Sequence, residues 1–312
     1  MIKVISQDQL SVIWAENRST HKLDFPFYAY PWHVLWWKFF GRDWRPFILL
    51  INDVAIAPLA RRGDLVIFSG GQEIADYLDL IAPENAKEHA WQEIMKFIEL
   101  QGVKQLELFN LPQNSKTISF FRKLNAVSKK IILTKEDTTP IIALPGNWEQ
   151  YLLSLDRHNR HELRRKLKRF ESDHPDVSFG ESQNPDHDLE ILINLMKLNT
   201  EKNIFLTRTM ETFFRRLPAT FPGTLKIFTL KIGDQTVAAV LTFVSGKSLL
   251  TYNSGYDKTN YPGAGFYLKA STIRWAMENG LKEYNFLQGN ERYKYDLGGV
   301  DFFVYRIKVT LD

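Results

Sequence analysis

The chain contains no cysteine among its 312 residues. That single absence excludes disulfides, thiolate zinc sites and a cysteine nucleophile. Long apolar runs are missing as well, and nothing approaches the ~20 residues that a membrane-spanning helix needs. The opening stretch MIKVISQDQL has no apolar core of the kind a secretory signal requires, so a cytoplasmic location is expected. Several catalytic signatures are also lacking. SGKS at 245–248 is not a phosphate-binding loop, because Leu241 stands where its first glycine belongs. GAGFYL has no third glycine for a dinucleotide fingerprint, and no Gly-x-Ser-x-Gly elbow occurs. His158 and His161 are three residues apart without an HExxH pattern, so no metal site is expected.

What remains is the composition of an ordinary globular protein, 44% hydrophobic and 24% charged, long enough for two domains. The formal charge of +4 is unevenly placed. RHNRHELRRKLKRFE, residues 157–171, sets seven Arg and Lys against two Glu, which leaves the rest of the chain at −1. Leu163, Leu167 and Phe170 give this helix one apolar stripe, while Arg160, Arg164 and Lys168 recur every fourth residue on another face. Such a face suits phosphates, nucleic acid or acidic headgroups, or is simply solvated. DFPFYAYPWHVLWWKFFG at 24–41 carries nine aromatics in eighteen residues. Trp32, Trp36 and Phe39 or Phe40 recur at helical spacing, which predicts core packing, with a sugar- or lipid-contacting groove as the alternative.

Helices and β-rich runs alternate along the chain. Helices are predicted near 7–17, 31–40, 89–102 and 114–124, with strands at 44–52, 54–60, 65–71, 104–111 and 129–134. From about 140 the pattern restarts: strand 139–145, helices 148–155 and 157–172, strand 177–182, and helices 186–202 and 209–217. A β-rich run over 225–255, a helix opening within 260–280, and strands at 282–288 and 302–311 complete it. WQEIMKFIELQGVKQLELFNL (91–111) and KASTIRWAMENGLKEYNFLQG (269–289) share one layout at a constant offset of 178, pairing Gly102 with Gly280 and Lys104 with Lys282. Fixed-offset similarity predicts an internal duplication, with domains at 1–140 and 141–312.

The strand-to-helix junction of the second half reads Asn260-Tyr-Pro-Gly263-Ala-Gly265. Glycines there let the backbone turn tightly, and a helix N-terminus attracts phosphate. Pro262 with two loop-shaping glycines is the plainer explanation. At the 178 offset the first half has Asn85 and Lys87 in place of Gly263 and Gly265. The fold unit therefore does not itself demand the glycines, which points to a ligand in the second half only.

This order of elements around a Gly-x-Gly loop resembles the GCN5-related N-acetyltransferase (GNAT) fold. The junction matches the Gln/Arg-x-x-Gly-x-Gly/Ala pyrophosphate loop of that superfamily, with Asn260 in place of Gln or Arg. YPWHVLWWKFFG, SGGQEIADYLDLI, RHELRRKLKRFE, NSGYDKTNYPGAGFYL and GNERYKYDLG lie in order along the chain. Together they resemble the CelD-like branch, associated with cellulose or exopolysaccharide biosynthesis and similar to the FemAB peptidyltransferases. The resemblance implies an α/β (α+β) fold of two tandem acetyltransferase-like units with mixed central sheets. It implies acetyl-CoA or another acyl-CoA as co-substrate, and transfer of the acyl group to the amine of a small molecule, amino sugar or surface-polymer precursor.

Acyl transfer to an amine needs a phosphate cradle, a proton acceptor, an oxyanion donor and an acid for the leaving thiolate. By the resemblance, backbone N–H groups of Gly263, Ala264 and Gly265 cradle the donor, and the splayed strand LTYNSGY offers Asn253 and Ser254 to the thioester. Glu291 then serves as base, directly or through water, and Asp257 is either a second carboxylate near the site or a turn former. Tyr293 is the acid, and Lys294 holds a phosphate or carboxylate. Packing for Tyr293 and solvation for Lys294 are the competing readings. Arg160, Arg164 and Lys168 are expected to grip the donor's phosphates or a polyanionic acceptor. The alternatives are a FemAB-like ligase that takes its acyl group from aminoacyl-tRNA, so that Arg160, Arg164 and Lys168 meet tRNA, and a binding protein that kept the fold without the chemistry.

Overall fold

The computed structural model describes residues 1–6, 9, 11–14, 25–126 and 130–311. Of the predicted helix over 7–17, positions 9 and 11–14 are helical, and the remainder lies outside the described residues. The chain forms two compact units, one of Met1–Thr138 with Phe302–Asp312 and one of Thr139–Asp301.

In the first unit, β1 (Ile2–Ile5), β3 (Ile48–Ile51) and β4 (Ala55–Ala57) form a small antiparallel sheet. The aromatic stretch supplies α1 (Tyr30–Phe39), whose Trp32 and Trp36 are buried as the helical spacing predicts. The main sheet draws on β2 (Arg45–Pro46), β5 (Leu59–Arg62), β6 (Leu65–Phe68), β7 (Gln105–Pro112) and β8 (Ile131–Thr138). Between β6 and β7 runs α2 (Glu84–Leu100), and α3 (Lys116–Asn125) links β7 to β8.

The second unit begins with β9 (Ile141–Ala143), α4 (Trp148–Ser154), the basic helix α5 (Arg157–Asp173) and β10 (Val177–Glu181). Next come α6 (Pro185–Lys197), α7 (Thr200–Phe205), α8 (Arg208–Thr220), and the antiparallel meander β11 (Leu225–Ile232), β12 (Gln235–Ser245) and β13 (Ser248–Tyr256). Helix α9 (Ala264–Glu278) crosses to β14 (Glu283–Asn285), and a short helix, α10 (Arg292–Asp296), follows. The sheet order is β10-β11-β12-β13-β14-β9, parallel only where α9 makes the crossover between β13 and β14. The same device recurs in the first unit, where α2 joins the parallel pair β6–β7. Gly102 and Gly280 end these two helices with φ of 69° and 74°, in line with the repeat read from the sequence.

Two expectations need correction. The predicted helix over 186–202 is two helices, because Asn199 leaves the helical region and its side chain caps α7 by accepting from the Lys202 N–H at 3.0 Å. The closing strand, expected in the second half, is β15 (Phe303–Thr310), and it lies between β7 and β8 of the first unit. Its alternation of buried Ile307 and Val309 with exposed Lys308 and Thr310 fits any sheet with one buried face, so pattern alone does not choose the sheet.

Side-chain caps start every helix of the second unit from α4 to α8, through Asn147, Asp156, Asn184, Asn199 and Thr207. Helix α9 differs: its N-cap is Gly263, at φ 98°, and no side chain closes it.

Candidate functional site

The site arises where two paired strands part. β13 keeps parallel register with β14 only over Ser248–Leu250, and a last tie runs from the Thr251 hydroxyl to the Asn285 carbonyl at 3.2 Å. Beyond it β14 has ended, while β13 continues to Tyr256 alongside β12. A bulge makes Tyr252 the extra residue, since Leu241 faces Asn253 and Thr242 faces Thr251. Tyr252 then stacks on Phe214, 5.8 Å between ring centres.

The gap opens into a cavity of about 820 Å³ within the second unit. Leu195, Met196, Asn199 and Lys202 form one wall, Ser254 to Asn260 the strand end, Pro262, Gly263, Gly265, Leu268 and Lys269 the helix side, and Glu291 and Tyr293 the remainder. Of the predicted site residues it thus gathers Ser254, Asp257, Gly263, Gly265, Glu291 and Tyr293. Asn253, Ala264 and Lys294 are not on this wall.

The junction has a structural logic of its own. Asp257 accepts from the Asn260 backbone at 3.0 Å and from its side-chain amide at 2.7 Å, and these hydrogen bonds hold its carboxyl below the ordinary range. Asp257 is therefore a turn former in this structure, and Asn260 is tied to it. Gly263 is needed for its left-handed backbone. A Cβ on Gly265 would lie 2.7 Å from the Tyr256 ring, so a side chain there must displace that ring. The Ala264 N–H already donates to the Tyr261 carbonyl at 3.1 Å. Of the three predicted N–H groups, that of Ala264 is therefore engaged within the loop.

Glu291 sits at the N-cap of α10 and pairs with Lys294 at 3.0 Å. Burial works to raise its carboxyl, but Lys294, hydrogen bonding and Lys202 outweigh that and hold it below the ordinary range. Burial, with Glu291, Tyr284 and Tyr256 adding, pushes the Tyr293 phenol far above the ordinary tyrosine value. Tyr293 thus keeps its proton at neutral pH. Lys294 donates to the carbonyls of Leu287, Gln288 and Gly289 at 3.1, 2.7 and 3.1 Å. Leu287 and Gly289 both have positive φ, which turns these carbonyls inward. Shared among these carbonyls and Glu291, the Lys294 ammonium clamps the loop that presents Glu291.

The basic helix reaches the junction by a face other than the predicted one. Arg165, Lys166, Arg169, Phe170 and His174 border a second depression with Pro262, Gly263, Phe266 and Tyr267. Lys166 lies over the Phe266 ring at 4.5 Å. Arg160 and Arg164 share a separate hollow with Arg157, His158 and His161, and Lys168 is exposed. Repeats of four locate a stripe but not its direction, and Phe170 against Tyr267 sets the rotation of α5.

Three lysines line the cavity, Lys202, Lys258 and Lys269, and the sequence reading singled out none of them. Lys202 donates to the Ser254 carbonyl at 2.5 Å, and burial lowers its pKa, with Glu291 opposing and Lys294 assisting. Lys269 is 5% exposed, in phase with the buried Ile273 and Ala276. A lysine on the apolar stripe of LKASTIRWA was its available signal.

The first unit closes the equivalent place with its own side chains. Glu84 occupies the first turn of α2, where its carboxylate meets Lys87 and accepts from the Lys116 N–H at 3.0 Å. Lys87 is buried against Asp79 at 2.6 Å.

Residues 157–295 match the family model for the acetyltransferase (GNAT) domain. No curated protein matches the sequence. FemX is a structural relative with a TM-score of 0.63 at 11% identity, covering 100% of this chain and 97% of its own. L-PGS from Bacillus licheniformis has a TM-score of 0.63 at 14% identity, covering 98% and 92%. A tandem GNAT protein from the clavulanic acid biosynthesis pathway gives 0.51 at 10% identity, covering 98% and 97%. At these identities the likeness is one of fold, and that fold is two tandem GNAT-like units with mixed sheets. Among the described residues no helix is long and apolar enough to cross a membrane, and no cluster of three metal-ligating side chains occurs.

Proposed function

We propose that the second unit is an acyl-CoA-dependent N-acyltransferase, acting on the amine of a small molecule, an amino sugar or a surface-polymer precursor of the kind the CelD-like resemblance implies. The observation that carries this reading is the parting of β13 from β14, which opens one cavity to the uncapped start of α9, to Glu291 and to Tyr293.

The residues fit such a donor. The first turn of α9 offers N–H groups and a positive dipole end to a pyrophosphate, and Arg165, Lys166 and Arg169 border the same loop. The bound thioester supplies the activated acyl carbon. The strand end at Ser254 orients it, and the ionised Glu291 accepts the proton of the acceptor ammonium directly or through water. Tyr293, held protonated by burial, returns a proton to the departing thiolate. The first unit, with Glu84 and Lys87 filling the corresponding helix start, binds no donor in this reading.

A second reading, aminoacyl-tRNA as donor, is favoured by Arg157, Arg160 and Arg164 with His158 and His161 around one hollow on α5. Mass spectrometry of molecules that co-purify with the chain separates the two, since CoA species support the first and tRNA the second. Calorimetry with CoA then compares wild type with Arg165→Ala/Arg169→Ala, expected to bind on the order of 10-fold more weakly. Wild-type protein that binds neither CoA nor tRNA would refute both and leave the binding protein without chemistry.

A further inference from the structure

The most buried of the charged side chains on the cavity wall has no task in this mechanism. Lys269 lies in the second turn of α9 between Leu268 and Ala270, all three buried. A buried ammonium is ordinarily kept by a carboxylate, as Lys87 is by Asp79 and Glu84. Among the described residues no hydrogen bond or ion pair reaches the Lys269 Nζ. The charged groups facing it are Lys202 from α7, Lys294 from α10, and Glu291 at the start of α10, which is already paired with Lys294. Burial first, and then repulsion from Lys202 and Lys294, bring its pKa down to about 7. Near neutral pH a large fraction of the molecules therefore carries a free amine on the cavity wall.

We propose that Lys269 is a nucleophilic lysine at which acyl thioesters entering the cavity acylate the protein itself. Its lone pair attacks the thioester carbonyl carbon, and the C–N bond forms as the C–S bond breaks. The proton lost by the amine leaves with the thiolate, giving an amide and a free thiol with no other reactant. The product replaces a poorly solvated cation by a neutral amide and narrows the space for an acceptor. The inference takes its natural reagent from the acyl-donor reading, but its chemistry requires only a thioester small enough to enter.

The test treats the full chain with acetyl-CoA and, separately, with S-acetyl-N-acetylcysteamine, a thioester without phosphates, and follows each lysine by peptide mass spectrometry over a range of pH. Lys96, with 75% of its side chain exposed, is the internal reference. An ordinary lysine is unprotonated at roughly one part in a thousand at neutral pH, so Lys269 is expected to acetylate at least ~10-fold faster than Lys96. Its rate should level off about one unit above its own pKa, while that of Lys96 keeps rising. Lys269→Met should remove this label and leave the others. Labelling by the small thioester with no advantage for acetyl-CoA supports the reactive lysine and counts against the CoA reading. Lys269 labelled no faster than Lys96 by either reagent overturns the inference, whatever CoA binding shows.

Discussion

Replacing Lys269 by methionine should stabilise the second unit, and the size of the effect should depend on pH. Methionine keeps a comparable unbranched stem and removes a charge that 5% exposure leaves poorly solvated. The fall from the ordinary lysine value of 10.5 to about 7, at 1.36 kcal/mol per unit, amounts to about 4–5 kcal/mol at and below neutral pH. Water in the adjoining cavity reduces this, so a gain of about 2–4 kcal/mol is the expectation at pH ~7. The sign follows from proton linkage. Between about 7 and 10.5 the unfolded chain holds a proton that the folded chain has released, so wild-type stability rises with pH across that window. Below it the full penalty applies. Urea unfolding of wild type and Lys269→Met from about pH 6 to about pH 10 should therefore give curves that converge as pH rises, approaching ~1.4 kcal/mol per pH unit. Parallel curves, or a variant less stable at neutral pH, would show that Lys269 is not held neutral by burial and repulsion.

Three further outcomes are expected. Asp79 is 1% exposed and accepts from Lys87, Ser115 and Thr117 side chains and from the Leu80 N–H. Asp79→Ala leaves the buried Lys87 ammonium with only the partly exposed Glu84 as counter-charge and should cost the first unit about 3–5 kcal/mol, read as a lowered thermal midpoint. Deleting Phe302–Asp312 removes β15 from between β7 and β8. Hydrogen exchange should then show the protection of β7 and β8 lost while β11–β13 stay protected, and unchanged β7 protection would contradict the sheet order. Gly265→Val drives a side chain into the Tyr256 ring, with an expected loss of about 1–3 kcal/mol that Tyr256→Ala partly restores. A single variant that melts like wild type would mean the ring can move aside.

The periodicities of this sequence determined a good deal by themselves. Trp32 and Trp36 at helical spacing announced a packed helix, and they are buried. The 178-residue offset announced the repeat, and Gly102 and Gly280 end equivalent helices in the same left-handed conformation. Gly263 and Gly265 marked the junction at which the cavity opens, although a side chain at the second of them must also displace the Tyr256 ring. These features are local, set by propensity and by residues within a few turns of one another.

What the tertiary structure decided was non-local. A half-buried strand pairs equally well with either sheet, and only the partners of β15 place it in the first unit. A four-residue repeat of cations gives a stripe with no direction, and the packing of Phe170 on Tyr267 turns Arg165, Lys166 and Arg169, not Arg160 and Arg164, toward the junction. Lys294 reads as a free cation until three inward carbonyls are seen around it. Lys269 reads as an ordinary lysine until Lys202, 67 residues earlier in numbering, and Lys294 are brought to the same cavity wall. Charge and proton affinity depend on which groups share a low-dielectric space, and that sharing exists only once the chain has folded.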